Sequence, residues 1–445
     1  MAKEIIPHEI NDWSPIPLTE SIWDEVDISN PLNFGIHRYG DRLWTSGYVG
    51  VGRLYNKNQK PILSSGKEHI IVVSSRYNLD PWKMLETVMA DEEYEDYLSE
   101  LDEGKDLFKV FYDQPLIRLA QDRQNEGDVL YALSFINSCY SLCKKGLKKN
   151  LIRKEENYRS KIRGKINVKN NIRENTSRGR NDRFFCQYID FTEDTVENRI
   201  IKSTLQKCKT ILTTRFELSS EMLQRISYCK NVFRRVKNVS IKNSDFNAVS
   251  VSGLYMYYKP LIQQARCIHN QKYYSYTAEN GETITRSVYT VPYMINMEAL
   301  FEFYARAVLK QRIDSKYYLD SYSKRIYLQR GVTRPEEAER GIHLMTYCIP
   351  DILICNKDTN EPMLVLDAKY KGNARTERAD SHQLLSYVLL TGAKRCGFIF
   401  PGSTTQMKPI GQEAGYLNLS PADLRYYELI LGNDQNSGEI EKLLL

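Results

Sequence analysis

Short hydrophobic runs, separated by polar turns, alternate between strand-like and helix-like spacing in the first part of this chain. Segments 43–51 and 70–74 have β-like patterns, whereas the apolar positions of 81–98 recur with a helical period and Pro81 stands at the first helical turn. The spacing from 116 to 147 is helical again. These patterns predict a mixed N-terminal region of strands and helices.

The middle of the chain has mainly helical patterns that polar segments interrupt. The residues predict a short extended stretch over 160–172 and a loop over 175–182, where no apolar period exists. Helices are predicted over 192–212, with Thr192 as the N-cap, and over 219–236. We therefore expect this region to be mainly helical.

The last part of the chain alternates between helical and strand-like patterns. Segment 296–310 is predicted to be a helix with an apolar stripe formed by Leu300, Phe301, Tyr304 and Val308. The elements predicted after it are a strand over 348–355, a turn over 357–362, a strand over 363–371, a helix over 380–390 and a strand over 396–400. Helix, hairpin, helix and strand in this order favour an α/β fold with a mixed sheet.

A chain of 445 residues is too long for one ordinary domain and favours two or three. We place the main boundary in the polar, glycine-containing stretch 273–286. The sequence thus predicts an N-terminal mixed α+β domain over 1–140, a basic middle region over 141–285 and a C-terminal α/β domain over 286–445.

No hydrophobic run approaches the roughly 18 apolar residues that a membrane-spanning helix needs, and no apolar signal core follows the N-terminus. The nine cysteines include no Cys-x-x-Cys pair. Cys139 and Cys143 have helical i,i+4 spacing, but no second pair follows to complete a zinc site. We therefore expect a cytoplasmic protein with reduced thiols and no membrane partner.

The net charge of +6 is modest, but the basic residues are concentrated. Between Ser141 and Arg183 the chain has fifteen Lys or Arg against four Asp or Glu. Such a block could follow a phosphate backbone or face an acidic partner, and a solvated face is the alternative. The candidate contact residues are Lys144, Lys145, Lys148, Lys149, Arg163 and Lys165.

Two carboxylates and a lysine stand out on the predicted hairpin. Asp351 lies within one apolar strand, and Asp367 and Lys369 lie near the end of the next. Because strand side chains alternate, Asp367 and Lys369 share a face, and the hairpin brings Asp351 beside them. Three charged groups in an apolar sheet are costly unless a cation compensates them. Two Asp ligands suit Mg²⁺ or Mn²⁺, and Lys369 would orient a water nucleophile at a phosphate.

Several alternatives stay open for this group of residues. An exposed hairpin with a surface Asp–Lys pair would have the same spacing, and Lys371 could take the place of Lys369 on the same strand face. Glu302, on the preceding helix, could reach the metal directly or through water, or face solvent. Gln383 and Tyr387, at i and i+4 on one helix face, could hold the lysine or touch the phosphate, or serve helix packing.

The arrangement of Pro350, Asp351, Asp367 and Lys369 resembles the signature of the PD-(D/E)xK nuclease superfamily. From roughly 144 to 401 the chain also resembles the McrC family, the nuclease subunit of McrBC-type modification-dependent restriction systems. This second resemblance rests on the Lys-Ile-Arg-Gly-Lys-Ile segment 161–166, on 191–205, and on the Pro-Asp…Leu-Asp-Ala-Lys-Tyr-Lys core. Segment 191–205 is the most specific, because generic nuclease chemistry does not require it. No catalytic trio can be assembled from 193–199, which we interpret as a structural or partner-facing helix start.

The resemblance implies a restriction-endonuclease-like core, Mg²⁺-dependent cleavage of double-stranded DNA and a role in antiphage defence. It also implies a partner, an McrB-like AAA+ GTPase that forms a hexameric ring and reads modified DNA. In such systems the nuclease subunit docks into the ring through its N-terminal part and stimulates GTP hydrolysis. This chain has no Gly-x-x-x-x-Gly-Lys-(Ser/Thr) motif, so we expect no nucleotide bound by the chain itself.

Two other functions are compatible with the sequence. One is a nuclease of the same superfamily that acts alone or with a different ATPase. The other is a non-catalytic scaffold subunit that has kept the fold. The presence of Asp351, Asp367 and Lys369 together argues against a scaffold, because a retired site usually loses its lysine or one acid.

Overall fold

The computed structural model describes residues 5–33, 35–77, 79–99, 101, 106–111, 114–115, 117–119, 127–215, 217–270, 288–321, 326–327, 347–372, 377–410, 425–434 and 437–443. The chain divides into two compact units, one formed by Met1–Gly127 together with Thr277–Leu445 and the other by Asp128–Tyr276. The three-domain division made from the sequence stays a prediction. The expected boundary at 273–286 lies outside the described residues.

The N-terminal segment of the first unit contains strands β1 (Ile5–Asn11), β2 (His37–Tyr39), β3 (Arg42–Trp44), β4 (Tyr48–Arg53), β5 (Leu63–Ser64), β6 (Lys67–Ser74), β7 (Phe108–Val110) and β8 (Ile117–Leu119). Its helices are α1 (Glu20–Trp23), α2 (Pro81–Ala90) and α3 (Tyr94–Ser99), with a 3-10 turn at Pro31–Asn33. Within the segment predicted as a helix over 116–147, residues 117–119 form a strand, and the described helix α4 spans Gly127–Lys145.

The segment predicted as one helix over 81–98 forms two helices. The Asp80 side chain caps α2, and Pro81 fills the first helical position as predicted. Asp91 then adopts an extended backbone, and its carboxylate accepts a hydrogen bond from the N–H of Glu93 at 2.8 Å. This local turn ends α2 before α3 begins.

The second unit contains helices α4 (Gly127–Lys145), α5 (Val168–Glu174), α6 (Val196–Thr213), α7 (Ser220–Val232), α8 (Asn243–Asn247) and α9 (Tyr258–Asn270). Short 3-10 turns lie at Thr176–Arg178, Phe233–Arg235 and Gly253–Tyr255. Its strands are β9 (Asn150–Arg159), β10 (Lys165–Ile166) and β11 (Arg183–Thr192). They form an antiparallel sheet in the order β10-β11-β9.

Two local predictions for the second unit are wrong. Segment 160–172 is not one extended stretch, because the Asn167 side chain caps α5 and the chain turns helical directly after β10. The N-cap of α6 is Thr195 rather than Thr192. The Thr195 hydroxyl accepts a hydrogen bond from the N–H of Asn198 at 3.3 Å, whereas Thr192 is the last residue of β11.

A buried polar network joins the segment before β9 to α6 and α9. Lys148 Nζ donates to Glu197 Oε1 at 2.8 Å, and only 12% and 4% of these side chains are exposed. Asn198 Nδ2 donates to the Lys148 carbonyl at 2.9 Å. The Tyr258 hydroxyl accepts from the Lys148 N–H at 2.6 Å and donates to Asn198 Oδ1 at 2.8 Å. Each of these buried groups therefore has a partner, as burial requires.

The C-terminal segment of the first unit contains strands β12 (Val288–Thr290), β13 (Tyr293–Asn296), β14 (Tyr317–Leu319), β15 (Ile326–Tyr327), β16 (Tyr347–Cys348), β17 (Ile352–Asn356), β18 (Pro362–Ala368), β19 (Arg395–Pro401), β20 (Gln406–Ile410) and β21 (Arg425–Leu431). Its helices are α10 (Met297–Arg312), α11 (Arg378–Thr391) and α12 (Ser437–Glu441).

Two larger sheets organise the first unit. One has the order β1-β6-β4-β13-β7, with β5 also paired to β6, so that β13 of the C-terminal segment lies between strands of the N-terminal segment. The other has the order β14-β17-β18-β19-β21-β20. In it β17 and β18 form the predicted hairpin, while β18, β19 and β21 run parallel. The mixed α/β architecture expected from the sequence is thus present.

The helix α10 follows β13 directly and forms part of the core of the first unit. The predicted apolar stripe on α10 is confirmed, because its four members, Leu300, Phe301, Tyr304 and Val308, are each at most 1% exposed. In the described part of the chain, no helix combines the length and the apolar character that crossing a membrane would require.

The buried pair of Lys148 and Glu197 should make a large contribution to stability. Replacing Lys148 by Ala leaves a buried carboxylate without its cation, and we expect the free energy of unfolding to fall by about 3–5 kcal/mol. Unfolding of the full chain by denaturant would measure the loss of stability, and hydrogen exchange of the amides in 148–205 would show whether the loss affects this region. Lys149 is the matched control, since its ion pair with Glu193 is half exposed at 3.4 Å. Lys149→Ala should cost less than about 1 kcal/mol, and equal losses in the two variants would contradict the assignment.

Candidate active site

The hairpin of β17 and β18 brings the two predicted aspartates together. Asp351 lies in the bend directly before β17, and Asp367 is the next-to-last residue of β18. The Ala368 N–H donates to Asp351 Oδ2 at 2.9 Å. The strand predicted over 348–355 is interrupted before Asp351, where Pro350 offers no N–H for a continuous ladder.

Lys369 contacts both an aspartate and the following helix. Its Nζ lies 2.8 Å from Asp367 Oδ2 and donates to Gln383 Oε1 at 3.1 Å. Gln383 Nε2 in turn donates to the Tyr387 hydroxyl at 2.8 Å. The structure thus joins Lys369 to the two residues of α11 that the sequence analysis proposed as its support. The predicted strand 363–371 ends earlier, at Ala368, although the Lys369 N–H still donates to the Ile399 carbonyl at 2.9 Å.

Lys371, the alternative lysine, has a different partner. Its ammonium pairs with Asp380, in the first turn of α11. The same Asp380 carboxylate accepts a hydrogen bond from the Glu377 N–H at 2.8 Å and so caps the helix. Despite burial, these interactions lower the pKa of Asp380. Of the two lysines, Lys369 is therefore the one that contacts Asp367.

The two aspartates are strongly destabilised as anions. Asp367 is fully buried, and neither of its oxygens accepts a hydrogen bond of ordinary angular geometry from a described residue, although Lys369 Nζ is close. Burial, and then repulsion from Asp351, raise the pKa of Asp367 to about 8. Burial, and then the charge of Glu302, raise the pKa of Asp351 to about 7. Burial alone would lower the pKa of Lys369, but the carboxylate of Asp367 raises it.

This chemistry fits a hard divalent cation. The carboxylates of Asp351 and Asp367 repel each other, the buried Asp367 has no ordinary hydrogen-bond donor among the described residues, and a third carboxylate, Glu302, acts on Asp351. Oxygen ligands of this kind suit Mg²⁺ or Mn²⁺, and a bound cation would compensate the repulsion that the protein alone leaves in place. Asp351 and Asp367 are the residues that could hold it, with Glu302 on the half-buried face of α10 as a further candidate.

Arg306 also contacts the candidate site, and no pattern in the sequence indicates it. It lies one turn after Glu302 on α10 and is 1% exposed. Its guanidinium donates to the backbone carbonyl of Asp351 at 3.3 Å and to that of Asp320. Two further hydrogen bonds, at 2.9 and 3.3 Å, reach the carboxylate of Glu93. A buried cation therefore fixes the backbone of Asp351, and the N-terminal segment supplies its counter-ion.

A second such group surrounds Tyr370, the residue after Lys369. The Tyr370 hydroxyl lies 2.9 Å from Ser75 Oγ, and Arg76 donates to the Tyr370 carbonyl at 3.0 Å. The Arg76 guanidinium also lies over the Tyr370 ring, 5.6 Å from its centroid. The Arg76 N–H donates to the buried carboxylate of Asp12 at 2.8 Å. Partners nearly 300 positions apart leave no local signal in the sequence.

The basic candidates lie in the second unit and differ in accessibility. Lys144, Lys145 and Lys149 are exposed, although Lys144 lies over the Tyr140 ring and Lys149 pairs with Glu193. Lys148 is committed to its buried pair and is not an exposed cation. Two further candidates, Arg163 and Lys165, are exposed around the small sheet; Arg163 lies 3.9 Å from the Tyr188 ring centroid and 3.5 Å from Asp190.

The raised pKa of Asp367 leads to a testable dependence of stability on pH. Without metal, the folded protein binds more protons than the unfolded chain between the ordinary value of 3.8 and about 8. The contribution of Asp367 to stability therefore falls as pH rises through this window. With a chelator present, the free energy of unfolding of Asp367→Asn should increase relative to that of wild type as pH rises from the lower to the upper end of this window. The expected increase is on the order of 1–3 kcal/mol. Chemical denaturation at several pH values would measure it.

Excess Mg²⁺ should remove this relative gain, because the cation binds the wild-type carboxylate. Asp380→Asn is the control of opposite sign. The pKa of Asp380 is lowered, so its carboxylate stabilises the fold at neutral pH and that contribution is lost on acidification. Two results would contradict the electrostatic account. One is an Asp380→Asn variant whose stability relative to wild type increases as pH rises. The other is an Asp367→Asn variant whose stability difference from wild type does not depend on pH.

Comparison with known proteins gives one strong match. The family model described as "McrBC 5-methylcytosine restriction system component" matches residues 109–401. No curated protein matches the chain. Among solved structures, a refined half-complex of Thermococcus gammatolerans McrB AAA+ hexamers with bound McrC is 14% identical, with a TM-score of 0.36, and the match covers 99% of both chains.

A cryo-electron microscopy structure of the McrBC complex from the same organism is also 14% identical, with a TM-score of 0.29, and the match covers 68% of this chain and 87% of that one. Structural similarity at these TM-scores carries no argument about this protein. The family match does, because it extends over well more than half of the sequence. The chain therefore belongs to the McrBC family of 5-methylcytosine restriction system components.

Proposed function

We propose that this protein is the Mg²⁺-dependent DNA endonuclease subunit of an McrBC-like restriction system, with a catalytic centre of the PD-(D/E)xK type. The observation that carries the proposal is the arrangement at the end of β18. There the fully buried Asp367 has Lys369 Nζ at 2.8 Å, and Asp351 is held by the adjacent N–H of Ala368. Two acids and a lysine so arranged suit hydrolysis of a phosphodiester.

Each side chain has a role in this proposal. Asp351 and Asp367 would hold Mg²⁺ or Mn²⁺, which when bound neutralises phosphate charge and lowers the pKa of a water. Lys369 orients the water nucleophile and stabilises the negative charge that develops on the phosphate. Its Nζ is already placed by Gln383, which Tyr387 positions in turn. Restricting the lysine before substrate binds reduces the entropy lost on reaching the reactive geometry.

Arg306 and Tyr370 support the site without touching substrate. Arg306 fixes the backbone of Asp351, and the contacts of Tyr370 with Ser75 and Arg76 fix the chain directly after Lys369. Both ends of the catalytic hairpin are therefore tied to the N-terminal segment. This division between reacting groups and the shell that holds them is what a site of defined geometry needs.

The proposed partner is an McrB-like AAA+ GTPase that forms a hexameric ring and whose GTP hydrolysis this chain stimulates. Family membership supports the partner, and the sequence agrees, since it has no phosphate-binding Gly-x-x-x-x-Gly-Lys-(Ser/Thr) motif of its own. The substrate would be double-stranded DNA, and cleavage would serve defence against phage. With Mg²⁺ alone, the isolated chain should cut DNA poorly.

Substitution of the catalytic residues tests the nuclease assignment. Asp367→Ala and Lys369→Ala should each lower the rate of DNA cleavage by about 100-fold or more, because a metal ligand or a charge-stabilising group is lost. Lys371→Ala is the matched control. It removes a lysine two residues away that pairs with Asp380 and should keep the rate within about tenfold of wild type.

The assay uses DNA containing 5-methylcytosine, Mg²⁺, GTP and the GTPase partner, and partner binding is measured separately for each variant. Wild-type cleavage by Asp367→Ala would refute the site. If Lys371→Ala lost cleavage and Lys369→Ala kept it, Lys371 would be the catalytic lysine, and Asp351 and Asp367 would still be the proposed metal ligands.

The basic segment before β9 is expected to face the GTPase. Lys144, Lys145 and Lys149 are exposed and can be replaced together, whereas loss of the buried Lys148 would destabilise the fold. A triple Gln variant should bind DNA as wild type does and fail to stimulate GTP hydrolysis, since the segment leads into the family-like stretch 161–166. If it contacts DNA instead, affinity should fall and the salt slope should flatten by about 0.9 per lost phosphate contact. If the variant binds DNA and stimulates GTP hydrolysis as wild type does, the segment is a solvated face with neither role.

A further inference from the structure

Three buried cysteines converge in the second unit. Cys139 and Cys143 lie on α4, and Cys229 lies on α7. Their sulfur atoms are all within 4.8 Å of one another, and the three residues are at most 5% exposed. The sequence supplied the first two at i,i+4 spacing, which places both on one helix face. The third comes from a helix 86 positions further along.

The two helices are held side by side by contacts between residues near the three cysteines in sequence. Arg225 of α7 donates to Asn137 Oδ1 of α4 at 2.6 Å. Tyr228 of α7 packs edge-on against Tyr140 of α4, with ring centroids 5.4 Å apart. These contacts fix the distance between α4 and α7 without a disulfide between the three cysteines, which are free thiols. The sulfur donors are therefore already placed before a ligand binds.

We propose that Cys139, Cys143 and Cys229 form a structural site for a thiophilic metal cation, with Zn²⁺ as the ion it fits best. Thiolate sulfurs are the ligands that zinc and copper(I) prefer, and hard cations such as Mg²⁺ avoid them. Zinc–sulfur bonds of about 2.3 Å require sulfur atoms closer than about 4 Å to one another. Small side-chain rotations of groups already within 4.8 Å reach that geometry.

Charge balance selects between the two soft cations. Three thiolates with Zn²⁺ leave one negative charge, whereas three with Cu⁺ leave two. Arg225 is the positive group that acts on Cys229, and one guanidinium matches the zinc complex. Binding Zn²⁺ would release the thiol protons of its ligands to solvent.

Among the described residues the protein supplies three ligands, and a water would complete the tetrahedral coordination that Zn²⁺ takes. Within the described part of the chain, no His, Asp, Glu or further Cys brings a ligand atom into the same cluster. The ion would cross-link α4 to α7, and its binding free energy would add to the folding free energy of the second unit. The site is independent of the proposed nuclease centre, which belongs to the first unit.

Metal content of the full chain tests the proposal. Wild type, purified with a reductant and without chelator and then incubated with Zn²⁺, should retain about one zinc per chain. Cys229→Ala should bind Zn²⁺ at least about tenfold more weakly, because a direct ligand is lost. Cys208→Ala is the matched control, since Cys208 is an equally buried thiol of the same unit outside the cluster. Replacement by Co²⁺ should give sulfur-to-metal charge-transfer absorption in wild type and Cys208→Ala, and not in Cys229→Ala.

A second measurement does not depend on a variant that folds. Mass spectrometry measures the rate at which each thiol of wild type is alkylated. Zn²⁺ should slow alkylation of Cys139, Cys143 and Cys229, and a chelator should restore the original rates. The rate at Cys208 should not change. Wild type that binds no Zn²⁺ would overturn the proposal, as would equal binding by all three proteins. Equal alkylation with and without Zn²⁺ would show that the thiols are ordinary core residues.

Discussion

Repulsion between the carboxylates of Asp351, directly before β17, and Asp367, near the end of β18, is the constraint on which the first unit depends. Asp351 and Asp367 lie in an apolar sheet where anions are costly, and the charge of Glu302 adds to the cost at Asp351. The surrounding groups compensate only part of the electrostatic cost of these anions. Lys369 approaches one carboxylate and the Ala368 N–H approaches the other, yet both pKa values stay raised. A fold that keeps such a cluster is suited to a cation, because the cation supplies the compensation that these neighbours do not.

This constraint explains why residues from distant parts of the chain meet in one unit. The hairpin of β17 and β18 must keep its geometry although the charges of Asp351 and Asp367 oppose it. Arg306 holds the Asp351 carbonyl and needs a buried counter-ion, which Glu93 provides. The insertion of β13 between β4 and β7 carries α10, and with it Glu302 and Arg306, into contact with the N-terminal sheet. The N-terminal segment is therefore part of the structure that maintains the proposed active site.

What the sequence could predict follows from how far apart the interacting residues are. The hairpin, the α11 pair Gln383 and Tyr387, and the stripe on α10 were accessible because strand alternation and helical spacing act over short distances. Arg306 with Glu93, Tyr370 with Arg76, and Cys229 beside Cys139 were not, because a period along the chain does not specify which distant element will face it. The two wrong predictions in the second unit have a local cause. Asn167 caps a helix inside a segment predicted to be extended, and Thr195 caps α6 three residues after Thr192, which is an equally good cap by residue type.

The stretch that most strongly suggested the family, 191–205, has a physical explanation in folding rather than in catalysis. Its Asn198 binds the Lys148 carbonyl and the Tyr258 hydroxyl, and its Glu197 binds the Lys148 ammonium. Together these bonds fix the point from which the basic strand β9 departs. A buried amide and a buried carboxylate need hydrogen-bond partners at defined positions. Few other residues could therefore replace Asn198 and Glu197. A sequence can therefore carry a specific family signature in residues whose described contacts hold the fold together, here by fixing the chain before β9 to α6 and α9.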